Sequence, residues 1–255
     1  MRKDARQSLG YSNLGAGMGA VLNRSKPRSL LTAIVYRLSR LVPDSQTKLR
    51  ILLDLEWIFE RLSQEQASAH YGIDGSPWRK STMEFISRHM TKADAVLDLG
   101  CGHGAISHSL SLIARKVVGV DYNRELIARA RKKYATDNLQ FIHDEALNYL
   151  GQCDEKFNVL VLTHVLEHLD RPKEFLAAYA GHFKHMFIEV PDFDRTFLNR
   201  FRQDLNIPQI YTDADHVTEF DRDELYALLS GLNLDVIDSE CRYGVLRVWV
   251  ECNRG

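Results

Sequence analysis

Residues 95–104, AVLDLGCGHG, give the clearest indication of the fold. A short apolar run from Ala95 to Leu99 leads directly into three alternating glycines, Gly100, Gly102 and Gly104. Because glycine lacks a Cβ, the backbone can turn sharply there and approach a ligand, which then meets the N–H groups at the start of the next helix. The stretch therefore predicts a buried strand, a ligand-binding turn and a helix.

The same alternation of short apolar runs with helical stretches continues downstream. Strands that are apolar nearly throughout must be buried on both faces, which indicates a parallel sheet covered by helices and an α/β fold. The last two runs, joined by Arg242 and Tyr243, suit an antiparallel hairpin at the sheet edge. The five earlier runs are AVLDLG, KVVGVD, LQFIHD, FNVLVL and HMFIEV.

Two acids follow the next predicted strands. Asp121 ends the second strand, where a carboxylate can accept hydrogen bonds from both ribose hydroxyls, and Asp144 ends the third, where it could bind an exocyclic amine. The position three residues after Gly102 is Ala105, which a dinucleotide-binding turn tolerates. This pattern predicts an adenosine-containing cofactor and leaves nicotinamide dinucleotides open.

Four motifs in order and spacing resemble the class I S-adenosylmethionine-dependent methyltransferases over about residues 80–250. They are DLGCGHG, VVGVDYNRELIARARKKY, LQFIHDEA and FNVLVLTHVLEHLDRP. The resemblance implies a Rossmann-like, seven-stranded, mostly parallel sheet with an antiparallel last strand. It also implies S-adenosylmethionine as the cofactor.

The resemblance assigns the glycine turn to the methionine part of that cofactor. Gly100, Cys101 and Gly102 would pass beneath the methionine, and Gly104 would complete the turn. Asp98 would lie near the methionine amine.

The adenosine part is assigned in the same way. Asp121 would hold the ribose, and Tyr122 would pack on the adenine. Asp144 would accept a hydrogen bond from the adenine amine, with a backbone contact from Glu145. Thr163 would line the cofactor near the sulfonium.

The stretch THVLEHLDRP, residues 163–172, has the H-x-x-E-H spacing of a class of zinc peptidases. Such a site needs both histidines on one helix, whereas this stretch directly follows a buried strand and precedes Pro172, which leaves room for a short turn only. The V-L-E-H segment also resembles small-molecule methyltransferases such as those of quinone biosynthesis. There it borders the site where acceptor and methyl donor meet.

Methyl transfer to oxygen requires removal of a proton, although positioning supplies much of the rate. His168 is predicted to act as the general base, with Glu167 orienting it, because histidine titrates near neutral pH. His216, in DHVTEFDRDEL, is the third predicted catalytic residue. The alternative is that Glu167 and His168 only fix the loop by hydrogen bonds.

A metal site is a further alternative at this segment, although the main prediction contains no metal. Some relatives of the resembled family bind a divalent metal on E-x-x-E-H and a distant histidine. Here His164 replaces the first glutamate, so a set comprising His164, Glu167, His168 and His216 would suit zinc or manganese better than magnesium.

The insertion at residues 191–220 is predicted to form part of the acceptor site. Its arginines, Arg195, Arg200 and Arg202, could bind an anionic or sugar acceptor. Its aromatic residues could stack on a ring, although the first three of them could instead form one buried helix face: Phe193, Phe197, Phe201, Tyr211 and Phe220. Its D-H-x-x-E-F-D-R-x-E-L pattern resembles methyltransferases of glycan and lipopolysaccharide biosynthesis.

The predicted function is O-methylation of a small molecule or of a sugar in a glycan or lipopolysaccharide. The alternatives are an RNA 2′-O-methyltransferase and a non-catalytic scaffold. The catalytic region is acidic overall and lacks a basic stripe with interleaved aromatics, which argues against a nucleic acid partner.

The 255-residue chain, 45% apolar, is large enough for a sizeable core. We expect a flexible basic tail (1–27), a helical extension (28–90) and the methyltransferase domain (91–255). Residues 1–50 carry ten Lys/Arg and two Asp/Glu, so the basic amphipathic helix predicted at 29–41 could contact a membrane surface. Four scattered cysteines and no secretory signal predict a cytoplasmic, possibly membrane-associated protein.

Overall fold

The computed structural model describes residues 30–152, 155–207 and 215–253. The predicted tail at 1–27 lies outside them. The chain divides into two compact units between Lys48 and Leu49. The sequence placed this boundary after residue 90, but the helix Pro77–Ser87 belongs with the sheet, since its Phe85 and Ile86 are fully buried in the core.

The second unit contains a seven-stranded sheet in the order β3-β2-β1-β4-β5-β7-β6. Neighbouring strands from β3 to β5 pair in parallel, and β7 pairs antiparallel with both β5 and β6. The predicted architecture is confirmed. The strands are β1 (Ala95–Leu99), β2 (Lys116–Asp121), β3 (Leu139–His143), β4 (Val159–Thr163), β5 (His185–Pro191), β6 (Leu234–Arg242) and β7 (Val245–Cys252).

Side chains cap the first turn of some of the helices. Ser76, which precedes Pro77, accepts a hydrogen bond from the backbone N–H of Arg79, and Asp221 forms a capping box with Glu224. The helices within the described residues are α1 (Leu30–Ser39), α2 (Ser45–Gly75, kinked at Gly72), α3 (Pro77–Ser87), α4 (Ala105–Ser111), α5 (Arg124–Lys133), α6 (Ala146–Gln152), α7 (Pro172–Tyr179), α8 (Leu198–Asp204) and α9 (Arg222–Ser230).

The core lies on both faces of the sheet, as the apolar strands predict. Every residue of β1 is buried, with Leu97 and Leu99 on one face and Val96 on the other. The two central strands β1 and β4 therefore run through the middle of the domain, and their carboxyl ends open at one edge. That edge carries the predicted site.

The β6–β7 hairpin turns tightly at Tyr243 and Gly244. Both residues have positive φ angles, 56° and 75°, as a two-residue turn matched to the strand twist requires. The turn brings Tyr243 to the same edge of the sheet as the ends of β4 and β5, because β7 pairs with β5 in register from Pro191 to His185.

Helix α1 exposes most of the apolar side chains that define its amphipathic pattern. Leu30 is 78% exposed and Leu38 57% exposed. None of the helices in the described residues has the length and apolar character needed to span a membrane. Contact of this helix with a membrane surface stays a prediction.

Candidate functional site

The glycine turn after β1 contains one glycine required by packing and one that faces open space. A Cβ on Gly104 would lie 2.5 Å from the Phe141 ring, whereas a Cβ on Gly102 would meet nothing within 4 Å. Both residues have positive φ, 74° and 53°. The backbone N–H of Gly102 donates to Asp121 Oδ2 (2.8 Å), which ties the turn to the end of β2. Gly102 thus forms an open cradle, as a bound ligand requires.

A cleft of about 220 Å³, here called the cofactor cleft, opens above this turn. Five of the residues predicted to bind the cofactor line it: Asp98, Gly100, Cys101, Gly102 and Thr163. Side chains from α3, β5 and the segment after β4 complete its walls.

Two polar groups in the cleft are suited to a polar ligand. Asp98 is buried, and its Oδ2 accepts a hydrogen bond from Ser107 Oγ (2.5 Å). Burial raises the pKa of Asp98 to about 7; the hydrogen bond from Ser107 opposes the rise, and the charge of Asp121 adds to it. Thr163 Oγ1 is buried and has no hydrogen-bond partner within the described part of the chain. A ligand carrying an amine would stabilise the charged form of Asp98.

The residues predicted to bind adenosine lie beside the cleft, at the ends of β2 and β3. Asp121 is 7% exposed, and its Oδ1 accepts from the backbone N–H of Asn123 (2.7 Å). Each carboxylate oxygen can accept a further bond, so contacts to a ribose stay available. Tyr122 is 74% exposed, and Asp144 donates its backbone N–H to the Asp121 carbonyl (3.2 Å). Glu145, the next residue, is exposed.

The segment after β4 holds a histidine between two buried carboxylates. His164 Nδ1 lies 2.9 Å from Glu167 Oε1, and Nε2 lies 3.5 Å from Glu189 Oε1. Burial lowers the pKa of His164, but its hydrogen bond to Glu167 and the two negative charges outweigh that effect and raise the pKa above its usual value. His164 has a φ of 55°, an uncommon backbone conformation for a residue with a Cβ.

The hydrogen bond of Glu167 departs from the sequence prediction. The sequence assigned Glu167 to orient His168, whereas the carboxylate contacts His164 instead. The reason is local: residues 166–168 form a 3-10 turn, in which the adjacent side chains of Glu167 and His168 diverge, while the left-handed backbone of His164 just before the turn lets its imidazole reach Glu167. His168 Nδ1 faces the backbone carbonyl of Asp215 (3.3 Å).

A buried network fixes Glu189, the second carboxylate. Glu189 Oε2 accepts hydrogen bonds from Thr82 Oγ1 (2.6 Å) and from Arg247 Nε (2.5 Å). Arg247 is fully buried and also donates to Glu240 (3.0 Å). The network joins α3, β5, β6 and β7 behind His164.

A second cavity of about 400 Å³ lies on the other side of His164. His164 and Trp78 line both this cavity and the cofactor cleft. The remaining walls come from α2, from the end of β5 and from the β6–β7 turn. The residues are Glu60, Gln64, Ala67 and Ser68 of α2, with Pro191, Arg195, Tyr243, Gly244 and Val245.

Three of the four residues of the metal alternative, Glu167, His168 and His216, lie together, and His164 is not part of the cluster. One ligand atom from each lies within 4.8 Å of the others. His216 Nδ1 contacts Glu219 Oε1 (2.9 Å), and Glu167 Oε2 is buried with no hydrogen-bond partner within the described residues. One carboxylate and two imidazoles fit zinc or manganese.

Most of the predicted acceptor residues of the insertion have structural contacts instead. Arg200 pairs with Asp194 (2.9 Å) and Asp221 (3.0 Å), and the buried Arg202 pairs with Glu56. Of the three arginines only Arg195 lines the second cavity.

The three phenylalanines do not share a buried helix face. Phe193 is 7% exposed and precedes α8, Phe197 is 69% exposed, and Phe201 is 39% exposed. Tyr211, also considered as an aromatic contact, lies outside the described residues.

The sequence does not indicate that α2 and α3 line the two cavities. Glu60, Gln64 and Ser68 recur every four residues, but a solvated helix face has the same pattern. Trp78 follows a turn and carries no motif. Their position in the cavities follows from the fold, which brings α2 and α3 beside the ends of β4 and β5.

Comparison with known proteins agrees with this architecture. Residues 56–239 match the family described as "Methyltransferase domain". The solved DhpI–SAM–HEP complex has a TM-score of 0.56 at 20% identity, covering 79% of this chain and 97% of that chain. Magnesium protoporphyrin IX methyltransferase from Synechocystis, solved with bound SAH, has a TM-score of 0.53 at 14% identity, covering 69% and 84%.

A curated relative is the mitochondrial ubiquinone biosynthesis O-methyltransferase of Schizosaccharomyces pombe. It is 31% identical over 100 residues, which are 37% of this chain. The match spans only 36% of the length of that relative. The family match covers most of the chain and includes strands β1 to β5, the glycine turn and the strand-end acids. The chain therefore belongs to the class I S-adenosylmethionine-dependent methyltransferases.

Proposed function

We propose that this protein transfers a methyl group from S-adenosylmethionine to a hydroxyl oxygen of a small-molecule acceptor. The observation that carries the proposal is that the cofactor cleft and the second cavity share His164 and Trp78. A donor in one and an acceptor in the other would meet at His164. The similarity to ubiquinone biosynthesis O-methyltransferases supports oxygen as the methylated atom.

The residues of the cofactor cleft fit this methyl donor. The open cradle at Gly102 would receive the methionine part, Asp98 would face its amine, and Asp121 would face the ribose. S-adenosylmethionine supplies an activated methyl group on sulfur. The protein has to position the acceptor in line and to accept its proton.

We propose His164, in place of His168, as the residue that accepts this proton. Its Nδ1 is fixed by Glu167, and its side chain is 41% exposed toward the two cavities. As the new oxygen–carbon bond forms and the carbon–sulfur bond breaks, the hydroxyl proton would pass to the imidazole. Glu167 and Glu189 would stabilise the resulting imidazolium.

His168 and His216 lie on the far side of Glu167 and line neither of the two cavities described here. Their proposed contribution is to hold Glu167 in place, directly or through a zinc or manganese ion bound by the three residues. Metal analysis of purified protein tests whether such an ion is bound. Zinc or manganese at one equivalent, lost in His216→Ala, would support it.

Methyl transfer is tested by mass spectrometry of products formed from S-adenosylmethionine and a panel of phenols and methyl glycosides. We expect one methyl group on oxygen and an equivalent of S-adenosylhomocysteine.

His164→Gln should lower turnover by about 10²- to 10⁴-fold, the range of a lost general base, with little change in S-adenosylhomocysteine affinity. His182→Gln is the matched control, because His182 is exposed and lines neither of the two cavities. Full turnover in His164→Gln would reject the assignment.

A further inference from the structure

We propose that the second cavity is the acceptor site and that it takes a neutral, polyhydroxylated ring, that is, a sugar. This inference rests on the proposed function, since the cavity is an acceptor site only if the cofactor cleft holds a methyl donor. Its volume, about 400 Å³, lies in the range of small-molecule sites. The choice of acceptor follows from the chemistry of its two walls.

One wall is a polar stripe along α2. Glu60, Gln64 and Ser68 are each four residues apart, so their side chains lie on one helix face over a length of about 12 Å. Gln64 Nε2 donates to Glu60 Oε1 (3.4 Å), and Ser68 adds a hydroxyl about one turn further along. Hydrogen-bonding groups are thus spread along the cavity and not gathered at one end.

The opposite wall is largely apolar. Tyr243 is held at the hairpin tip by its left-handed backbone, and Pro191 and Val245 extend the same surface. Trp78 closes the end nearest the cofactor cleft. Such a wall offers faces on which a ring can pack, and His164 stands where the two cavities join.

An ion pair on the α2 side of the cavity argues for a neutral acceptor. Arg195 Nη2 lies 2.9 Å from Glu60 Oε2, and both side chains are partly buried. Their charges offset each other, so an anionic or cationic acceptor would find no unopposed charge from this pair. The paired groups can still donate to and accept from uncharged hydroxyls.

A sugar ring matches both walls at once. Its hydroxyls project around the edge and its C–H groups form the faces, so one edge can meet the stripe of α2 while a face packs against Tyr243 or Trp78. A simple phenol carries its hydroxyls at one end and would reach only part of the stripe. It would therefore form fewer hydrogen bonds with α2 than a sugar, which favours the sugar.

The test measures binding directly and does not need turnover. Protein saturated with S-adenosylhomocysteine is mixed with methyl α-glucopyranoside, methyl α-galactopyranoside, methyl α-rhamnopyranoside or catechol, and saturation-transfer NMR detects the bound compound. We expect at least one glycoside to bind and catechol to bind at least tenfold more weakly.

A cavity-filling variant locates the site. Ala67→Trp should weaken glycoside binding at least tenfold and leave S-adenosylhomocysteine affinity unchanged, because Ala67 lines the second cavity and not the cofactor cleft. Ala178→Trp, at an exposed position of α7, is the matched control and should bind the glycoside like the parent.

The outcomes separate the two proposals. Failure of S-adenosylhomocysteine to bind would reject the proposed function itself. Normal S-adenosylhomocysteine binding without binding of any glycoside, or with catechol preferred, would overturn the sugar inference alone. Glycoside binding that survives in Ala67→Trp would overturn the location.

Discussion

The two halves of the sheet edge are built from different parts of the chain. On the cofactor side, backbone groups of the glycine turn and the acids ending β2 and β3 come from about 50 consecutive residues. On the acceptor side, the second cavity combines His164 with Trp78, α2 and the β6–β7 turn, which are far apart in sequence, and the network of Glu189 and Arg247 lies behind His164. The first half depends on local conformation, and the second depends on how the whole domain packs.

Because of this difference, substitutions in the two halves should have different effects. A change in the cofactor half should act through one backbone angle or one carboxylate. In the acceptor half, a change in one buried charge should affect several elements together, because Arg247 bonds to groups from α3, β5 and β6.

The largest effect is expected from Arg247→Met. The substitution would leave Glu189 buried without its main partner, which costs about 3–5 kcal/mol of unfolding free energy. Urea unfolding measures this. Arg129→Met, in an exposed pair with Glu125, is the control and should leave the urea midpoint nearly unchanged. Equal midpoints for the two variants would show that the acceptor half is not held by this network.

A pair of glycine variants sharpens the contrast within the cofactor half. Gly104→Ala combines a strained positive φ with a 2.5 Å clash and should lose about 3 kcal/mol. Gly102→Ala has the same strain but no clash, so it should lose about 1–2 kcal/mol and weaken cofactor binding at least tenfold. Unfolding curves and calorimetry separate the two effects. Similar stability losses in both variants would contradict the cradle assignment.

A pH dependence follows from Asp98. Its pKa of about 7 means that the carboxyl is largely protonated below pH 7, whereas a ligand amine favours the ionised form. Affinity for S-adenosylhomocysteine should therefore rise about tenfold between pH 6 and pH 8, with proton release on binding at the lower pH. Calorimetry in buffers of different ionisation enthalpy counts these protons. A dependence that persists in Asp98→Asn would assign it to another group.

The sequence predicted the sheet well because its signals are local. Apolar runs predicted the seven strands, and the glycines of 100–104 lie beside Asp121 at one edge of the sheet. Their binding of the cofactor stays a prediction. The acceptor half could not be predicted in the same way. The contact between His164 and Glu167 depends on a positive φ that the sequence does not reveal, and the position of α2 depends on tertiary packing.

The domain boundary also depends on tertiary packing and could not be read from the sequence. Phe85 and Ile86 of α3 look like the apolar face of any amphipathic helix, yet they are fully buried in the core of the sheet domain. Only the partner surface, formed by residues such as Val96 and Phe187, decides to which unit the helix belongs.

The most direct test of the account is calorimetric titration of the protein with S-adenosylmethionine, with NAD as the comparison ligand. We predict micromolar binding of S-adenosylmethionine, no binding of NAD, and at least tenfold weaker binding in Asp121→Ala, which should have a lower melting temperature but stay folded, because it loses two backbone hydrogen bonds. Absence of S-adenosylmethionine binding, or equal affinity in Asp121→Ala, would contradict the assignment of the strand-end edge as the cofactor site.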